Sequence, residues 1–192
     1  MHWKAAKRIL HYVQGTHSYG IHYAKGIDFD LVGYTDSDWA GDSKDHKSTS
    51  GYCFSLGSGP VCWSSKKQSA IALSSTEAEY RGAVNATTEA IWLQNILTEF
   101  GISFRKPTII FCDNQSAIQI SKNPVHHQRT KHIEIHMHYI RELIHANIID
   151  LKYIPTSEQI TDIFTKPFTE HKFLHLRALL GVRLVSTSDG AS

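Results

Sequence analysis

Two aspartates end apolar, strand-like stretches of the chain. Asp36 closes Leu31–Asp36 (LVGYTD), and Asp113 closes Ile109–Asp113 (IIFCD). Ligands of α/β sheets gather at strand ends, where two neighbouring carboxylates would repel each other unless a cation lay between them. Oxygen ligands suit Mg²⁺ or Mn²⁺, so the pair predicts a divalent-metal site. Each aspartate also has an ordinary structural explanation, because Asp36 could form an Asx turn and Asp113 could cap a helix.

Helical periodicity singles out a third carboxylate, Glu79. The stretch from Ser75 to Phe100 predicts a long helix, and 3.6 residues per turn puts Glu79 on its small apolar face. The other members of that face are Ala83, Ala86, Ala90, Leu93 and Leu97. Glu77 falls on roughly the opposite side and could form a capping box with Ser74, although Thr76 with Glu79 is a second register. An inward carboxylate needs a partner, which favours Glu79 over Glu77 as the functional residue.

Asp162 is a weaker candidate when its local sequence is considered alone. It lies early in a predicted helix that follows the strand Ile148–Ile154. Its position after a strand end matches that of the other aspartates. From its local sequence alone, an exposed i,i+4 ion pair with Lys166 is the better explanation of Asp162.

The elements that must position these residues form a mixed α/β pattern. A helix is predicted over Met1–Gln14 and the long helix near the middle of the chain, with shorter helices toward the C-terminus. The predicted strands are Tyr19–Ala24, Leu31–Asp36, Gly51–Leu56, Val61–Ser64, Ile109–Asp113 and Ile148–Ile154, and Ser69–Leu73 could continue the fourth. Hairpin-like strands come first and strand–helix units follow, which indicates a mixed sheet with helices on its faces.

Composition adds broad limits. The 192 residues are 41% hydrophobic and 20% charged, as in an ordinary globular domain. The net charge of +2 permits nucleic-acid binding without arguing for it. No apolar run approaches the ~20 residues that cross a membrane. Three cysteines at unrelated spacings make a disulfide framework unexpected, so we expect an intracellular protein.

A series of long motifs carries a specific family resemblance. In chain order they are HWKAAKRIL (2–10), GYTDSDWAGD (33–42), STSGYCFSLG (48–57), WSSKKQSAIALSSTEAEY (63–80), CDNQSAI (112–118), RTKHIEI (129–135) and TDIFTKP (161–167). The chain resembles the ribonuclease H region of copia-type LTR retrotransposon Pol polyproteins, over nearly its whole length to about Val182.

The resemblance implies a fold and a catalytic set. The fold would be ribonuclease H-like, a five-stranded mixed sheet flanked by helices. The catalytic and metal-binding residues would be Asp36, Glu79, Asp113 and Asp162, with Asp38 the near alternative to Asp36. Two Mg²⁺ ions are expected, and Mn²⁺ could replace them. Residues 19–182 would form the domain, 1–18 resemble the end of the reverse transcriptase region, and 183–192 would be a flexible tail.

The same resemblance implies an activity. It is metal-dependent hydrolysis of the RNA strand of RNA/DNA hybrids, and the alternative is an inactive or domesticated module that binds nucleic acid or protein. The predicted nucleic-acid contacts are Lys66, Lys67, Gln68, Arg129, Lys131 and His132. The expected partners are the hybrid and the reverse transcriptase domain of the parent polyprotein, without membrane attachment or a small-molecule cofactor. The expected location is cytoplasmic, in a virus-like particle, or nuclear. One departure is the loop Pro155–Glu158, which lacks the histidine that many ribonucleases H carry there.

Overall fold

A computed structural model describes residues 2–25, 29–41, 45–123 and 131–185, the side chains of 131–137 excepted. The helices are α1 (His2–Thr16), α2 (Ser75–Glu99), α3 (Gln115–Lys122), α4 (Lys131–His145), α5 (Asp162–Thr165) and α6 (Glu170–Leu179). The strands are β1 (Tyr19–Ile21), β2 (Leu31–Asp38), β3 (Thr49–Leu56), β4 (Gly59–Lys67), β5 (Thr108–Cys112), β6 (Ile149–Tyr153) and β7 (Val182–Leu184). Within these described residues, no helix is both long and apolar enough to cross a membrane.

Five strands form the central sheet in the order β4-β3-β2-β5-β6. The first three strands pair antiparallel, whereas β2, β5 and β6 run parallel to one another. The predicted five-stranded mixed sheet is therefore confirmed. A separate antiparallel pair joins β1 to β7.

Helix α2 packs along one face of this sheet. Ser74 caps its start by accepting a hydrogen bond from the Glu77 backbone N–H at 3.1 Å. The predicted inward face is buried, with Ala86 and Ala90 both 0% exposed. These alanines join Phe54 and Ile110 in the main core, so the phase of the helix was predicted correctly. Because the inward residues are small, the helix axis can lie close to the strands.

The opposite face of the sheet carries a smaller core and the C-terminal elements. Cys53, Ile160 and Leu180 are buried there, and Phe164 packs against them. The helix predicted around Asp162 is only the short α5, which begins at Asp162 itself and follows a 3₁₀ turn at Thr156–Glu158.

Two further differences concern element ends. Residues 69–73 continue no strand and instead lead into α2. Strand β7 crosses the predicted boundary at residue 182, because it pairs with β1, and the Val185 backbone N–H donates to the Ser18 carbonyl at 2.7 Å. The rest of the predicted tail, 186–192, lies outside the described residues. Helix α1 has no buried residue.

Candidate metal centre

The register of the parallel strands brings two of the predicted aspartates together. Thr35 of β2 lies beside Cys112 of β5, so the next residues along the two strands are Asp36 and Asp113. Carboxylate oxygens of Asp36, Asp113 and Asp162 all lie within 4.8 Å of one another. Ligand atoms of Glu79, Cys112 and Asp113 form a second group of the same size, so Asp113 belongs to both groups.

Glu79 reaches this centre because α2 approaches β2 unusually closely. A Cβ atom at Gly82 would stand 2.5 Å from Ser37 Oγ and 3.2 Å from Thr35 Oγ1, which is too close for any side chain. Glu79 lies one turn before Gly82, on the same side of the helix. The backbone N–H of Ser37 hydrogen-bonds to Glu79. The close approach of the helix thus fixes the glutamate beside the strand end.

Asp162 reaches the centre from the other face of the sheet. A Cβ atom at Gly51 would lie 2.9 Å from Phe164 Cβ and 3.0 Å from Thr165 Cγ2, so α5 rests directly on β3 at this glycine. Gln159 Nε2 also donates to the Thr35 carbonyl at 3.0 Å. Together these contacts hold α5 against the strands and leave Asp162 0% exposed.

Two lysines contact the carboxylates. Lys166 Nζ lies 3.0 Å from Asp36 Oδ1 and 2.7 Å from Asp162 Oδ1. Lys172 Nζ lies 3.1 Å from Asp162 Oδ2. The i,i+4 pair between Asp162 and Lys166 therefore exists, but its carboxylate is buried at the centre and is not on an exposed helix face.

Hydroxyl groups orient the two strand-end aspartates. Thr165 Oγ1 donates a short hydrogen bond to Asp36 Oδ2. Thr156 Oγ1 donates to Asp113 Oδ2 at 2.8 Å. Thr156 lies in the loop that lacks the histidine, so this loop contacts the centre through a hydroxyl.

Burial and mutual repulsion change the acidity of the centre. Burial, with the charges of Asp36 and Asp113, raises the pKa of Glu79 to about 9. Burial also raises the pKa of Asp36, against the opposing effects of Lys166 and Thr165. Burial by itself lowers the pKa of Lys166, but the charges and hydrogen bonds of Asp36 and Asp162 outweigh it and leave the pKa above its ordinary value.

The donor set fits hard divalent cations. Carboxylate oxygens converge from four positions, and the charges of Asp36 and Asp113 add to burial in raising the pKa of Glu79. Mg²⁺ and Mn²⁺ prefer such oxygen ligands. Cys112 Sγ lies 4.0 Å from Glu79 Oε2, but burial raises the pKa of this thiol, so it stays protonated and is a poor ligand.

The alternative residues take other roles. Asp38, the near alternative to Asp36, belongs to neither group of converging ligand atoms. Glu77 is buried but pairs with Arg81 at 2.8 Å and accepts from the Leu73 backbone N–H at 3.0 Å. The preference for Glu79 over Glu77 therefore agrees with the geometry.

The predicted nucleic-acid contacts differ in exposure and in the partners they have within the protein. Lys66 is exposed at the end of β4, and Lys67, 43% exposed, pairs with Asp45 at 2.9 Å. Gln68 is only 8% exposed, and its amide donates to Ser50 Oγ at 2.7 Å and to the Ala78 carbonyl at 3.0 Å. Its side chain joins the strand to α2, so its amide group is engaged within the protein, and the phosphate contact at Gln68 stays a prediction.

The remaining predicted contacts fall where little is described. Arg129 lies outside the described residues, and Lys131 and His132 are described only as backbone at the start of α4. Two tryptophans, Trp39 and Trp63, have indoles that are about half exposed. Trp39 Nε1 donates to the Ala72 carbonyl at 3.0 Å, which fixes the ring beside the strand end that bears Asp36.

Sequence reasoning missed the residues that position the carboxylates. Gly51 lies inside a quoted motif and Gly82 lies two residues after another, and a glycine within a strand or helix signals close approach of another backbone. Thr165 and Lys166 lie in the same motif as Asp162, three and four residues on, which is the spacing of neighbours on a helix. Those two signals were present in the printed sequence. The contact of Thr156 with Asp113 had no local signal.

Comparison with known proteins gives a consistent result. No family model matches the chain. It is 42% identical over 189 residues to the retrovirus-related Pol polyprotein from transposon RE2 of Arabidopsis thaliana, and 43% identical over 187 residues to that from transposon RE1. These matches cover 98% and 97% of the chain but 13% of each relative. The chain thus spans about an eighth of the length of these curated relatives.

Solved structures agree on the fold. LC11-RNase H1, isolated from compost, superposes with a TM-score of 0.53 at 12% identity, over 71% of this chain and 93% of its own. The N-terminal RNase H domain of a Mycobacterium tuberculosis protein superposes with a TM-score of 0.51 at 11% identity, over 79% and 98%. The chain has a ribonuclease H fold and is homologous to a segment of copia-type retrotransposon Pol polyproteins.

Proposed function

We propose that this chain is a metal-dependent endonuclease that hydrolyses the RNA strand of RNA/DNA hybrids. The observation that carries the proposal is that ligand atoms of Asp36, Asp113 and Asp162 lie within 4.8 Å of one another. Asp113 also belongs to the second group of ligand atoms, which contains Glu79. The Pol homology supports the substrate class, because reverse transcription makes such hybrids. The ribonuclease H fold supports the reaction class by analogy alone.

Asp36, Glu79, Asp113 and Asp162 would hold two Mg²⁺ ions, or Mn²⁺ in their place. When bound, such ions supply a metal-activated water as nucleophile and stabilise the leaving oxygen. The protein contributes orientation. The hydroxyls of Thr165 and Thr156 fix Asp36 and Asp113, so the carboxylates need little rearrangement when a phosphodiester arrives.

The hybrid would lie across the sheet edge that bears the strand ends. Across strands β2, β3 and β4, Asp38 is paired with Thr49 and Thr49 with Lys67. In the same way Ser37 is paired with Ser50 and Ser50 with Lys66. The two lysines therefore stand at the same edge as the carboxylates, two strands away. Basic side chains there can contact phosphates on either side of the cleaved bond, which positions the duplex without reading its sequence. Glu79 is a candidate contact for a ribose 2′-hydroxyl, the group that separates RNA from DNA.

We also propose that the chain acts beside a reverse transcriptase region, as part of a longer Pol-type protein, in the cytoplasm or the nucleus. The support is the homology to polyproteins of which the chain matches 13%. The exposed apolar residues Trp3, Ile9, Leu10 and Val13 of α1 fit a helix that packs against another domain.

The test uses a labelled RNA/DNA hybrid with Mg²⁺ and three proteins: wild type, Asp113→Asn and Asp30→Asn. Asp30 is exposed and precedes β2 at the opposite end of the strand, so its variant is the matched control. We expect wild type and Asp30→Asn to cleave the RNA strand equally, and Asp113→Asn to lose at least about 100-fold in rate, as for loss of transition-state stabilisation worth several kcal/mol. Folded wild type that binds the hybrid without cleaving it would support a binding module instead. Equal cleavage by Asp113→Asn would show that the carboxylates are wrongly assigned.

A further inference from the structure

The side chain of Lys166 enters the centre between two carboxylates. Its ammonium lies 3.0 Å from Asp36 and 2.7 Å from Asp162, and both carboxylates are 0% exposed. A monovalent cation therefore already bridges two of the four proposed metal ligands. This position differs from that of an ordinary surface lysine, because the partners are buried and come from different elements, β2 and α5.

Lys172 provides an internal comparison. Among the described residues, its ion pair is with Asp162 Oδ2 at 3.1 Å, and its ammonium lies 4.4 Å from the centre of the Phe168 ring. Lys172 thus pairs with one of the two aspartates that Lys166 bridges. Lys166 instead contacts the Oδ1 atoms of both aspartates.

The two groups of ligand atoms differ in their relation to Lys166. One group is Asp36, Asp113 and Asp162, and Lys166 contacts two of its three members. The other group consists of Glu79, Cys112 and Asp113. Among the described residues, Lys166 forms no ion pair with a member of this group. A Mg²⁺ ion binds carboxylate oxygens at about 2.0–2.1 Å in near-ideal octahedral geometry. An ion placed between Asp36 and Asp162 would therefore compete with the ammonium group for the Oδ1 atoms that Lys166 contacts.

We propose that Lys166 is a built-in cation that occupies one of the two divalent-ion positions, the one between Asp36 and Asp162. A divalent ion enters that position only by displacing the lysine side chain. The first ion binds through Glu79 and Asp113, and the second binds more weakly because it competes with Lys166. Lys166 is a positioning residue, which holds α5 to β2 before the second ion arrives. This inference rests on the proposed metal-dependent function and adds the order in which its ions bind.

The wild-type protein offers a direct test. An amine-acylating reagent, with mass spectrometry of each lysine, measures how accessible Lys166 is as Mg²⁺ is added. We expect Lys166 to react slowly without Mg²⁺ and at least about tenfold faster at saturation, within the usual range of coupling between two ligands. Lys106, which lies far from the centre, should not change. A rate for Lys166 that stays constant while Mg²⁺ binds would overturn the inference.

Variants of single lysines test whether the position of Lys166, or only its positive charge, weakens binding of the second Mg²⁺ ion. Calorimetric titration with Mg²⁺ alone compares wild type with Lys166→Met, Lys172→Met and Lys106→Met. We expect the second ion to bind about tenfold more tightly in Lys166→Met, and much less so in Lys172→Met, because Lys172 leaves the position between the aspartates open. Equal gains in both variants would mean that only net charge matters, and would contradict displacement.

The possible failures are distinguishable. If wild type binds no Mg²⁺ and cleaves no hybrid, the proposed function fails at the metal centre itself. If wild type binds two ions with Lys166 unmoved, only the displacement is wrong. Should Lys166→Met not fold without metal, the acylation of wild type still decides the question.

Discussion

Gly51 lies directly opposite Asp36 in the β2–β3 ladder. Because Gly51 has no side chain, α5 packs directly against the strand at this residue. In Gly51→Ala the new methyl group would meet Phe164 Cβ at 2.9 Å, so α5 must move away. We expect a loss of about 1–3 kcal/mol in the free energy of unfolding, as for overpacking in a core. Hybrid cleavage should fall as well, because Asp162 moves with α5.

Gly15→Ala is the matched control for that variant. A Cβ at Gly15 has no atom within 4 Å, and the residue lies inside α1. Urea unfolding should show unchanged or slightly increased stability, by roughly 0.5–1 kcal/mol, since alanine favours a helix over glycine. Gly51→Ala with wild-type stability and activity would contradict the tight contact.

The stability of the metal-free protein should depend on pH through Glu79. Its pKa is about 9 in the folded protein and near its ordinary 4.5 when unfolded. The folded state therefore keeps a proton that the unfolded state releases, so this stabilising contribution is complete below pH 4.5 and is lost as pH rises to about 9. Urea unfolding in EDTA across this range should show falling stability in wild type and a flatter profile in Glu79→Gln. Matching slopes in the two proteins would refute the buried, protonated glutamate.

Thr165 should act on the centre through Asp36. Thr165→Val removes the hydroxyl that donates to Asp36, at a cost of about 1 kcal/mol for a net hydrogen bond. We expect weaker Mg²⁺ binding and slower cleavage, because Asp36 loses its orientation. Thr165→Ser keeps the donor and should retain most of the affinity. Calorimetry of the two variants measures the difference, and equal affinities would show that the hydroxyl does not orient the aspartate.

Replacing Lys66 should affect binding of the hybrid, whereas replacing Gln68 should affect the stability of the fold. Lys66→Ala should leave stability unchanged and lower the slope of log affinity against log salt for the hybrid by about one, as for one lost phosphate contact. Gln68→Ala should cost about 1–3 kcal/mol of stability, because Ser50 Oγ and the buried Ala78 carbonyl lose a donor. A large stability loss in Lys66→Ala, or none in Gln68→Ala, would reverse these assignments.

Some features were predictable because they depend on local periodicity. The burial of Ala83, Ala86 and Ala90 follows from 3.6 residues per turn, and so does the inward position of Glu79. The apolar runs before Asp36 and Asp113 predicted β2 and β5, with ends that the structure moved by one or two residues. The family resemblance predicted that the sheet has five strands and that Asp162 belongs to the catalytic set.

Other features depend on contacts between residues far apart in the chain. Nothing near Gln68 indicated that Ser50 and Ala78 would bury it, and no local pattern separates its exposed neighbour Lys66 from it. Thr156 meets Asp113 across 43 positions of sequence. Lys166 meets Asp162 within one helical turn, which spacing allows, but it meets Asp36 across 130 positions.

The amino-acid sequence by itself determined most helices and strands, the two strand-end aspartates and the inward position of Glu79, because each follows from patterns within a few residues. Only the tertiary structure decided which polar groups surround those carboxylates and whether Asp162 would be exposed or buried. The physical reason is the packing of α2 and α5 onto opposite faces of one sheet at Gly82 and Gly51. That packing buries Asp36 and Asp162 and brings Lys166 between them.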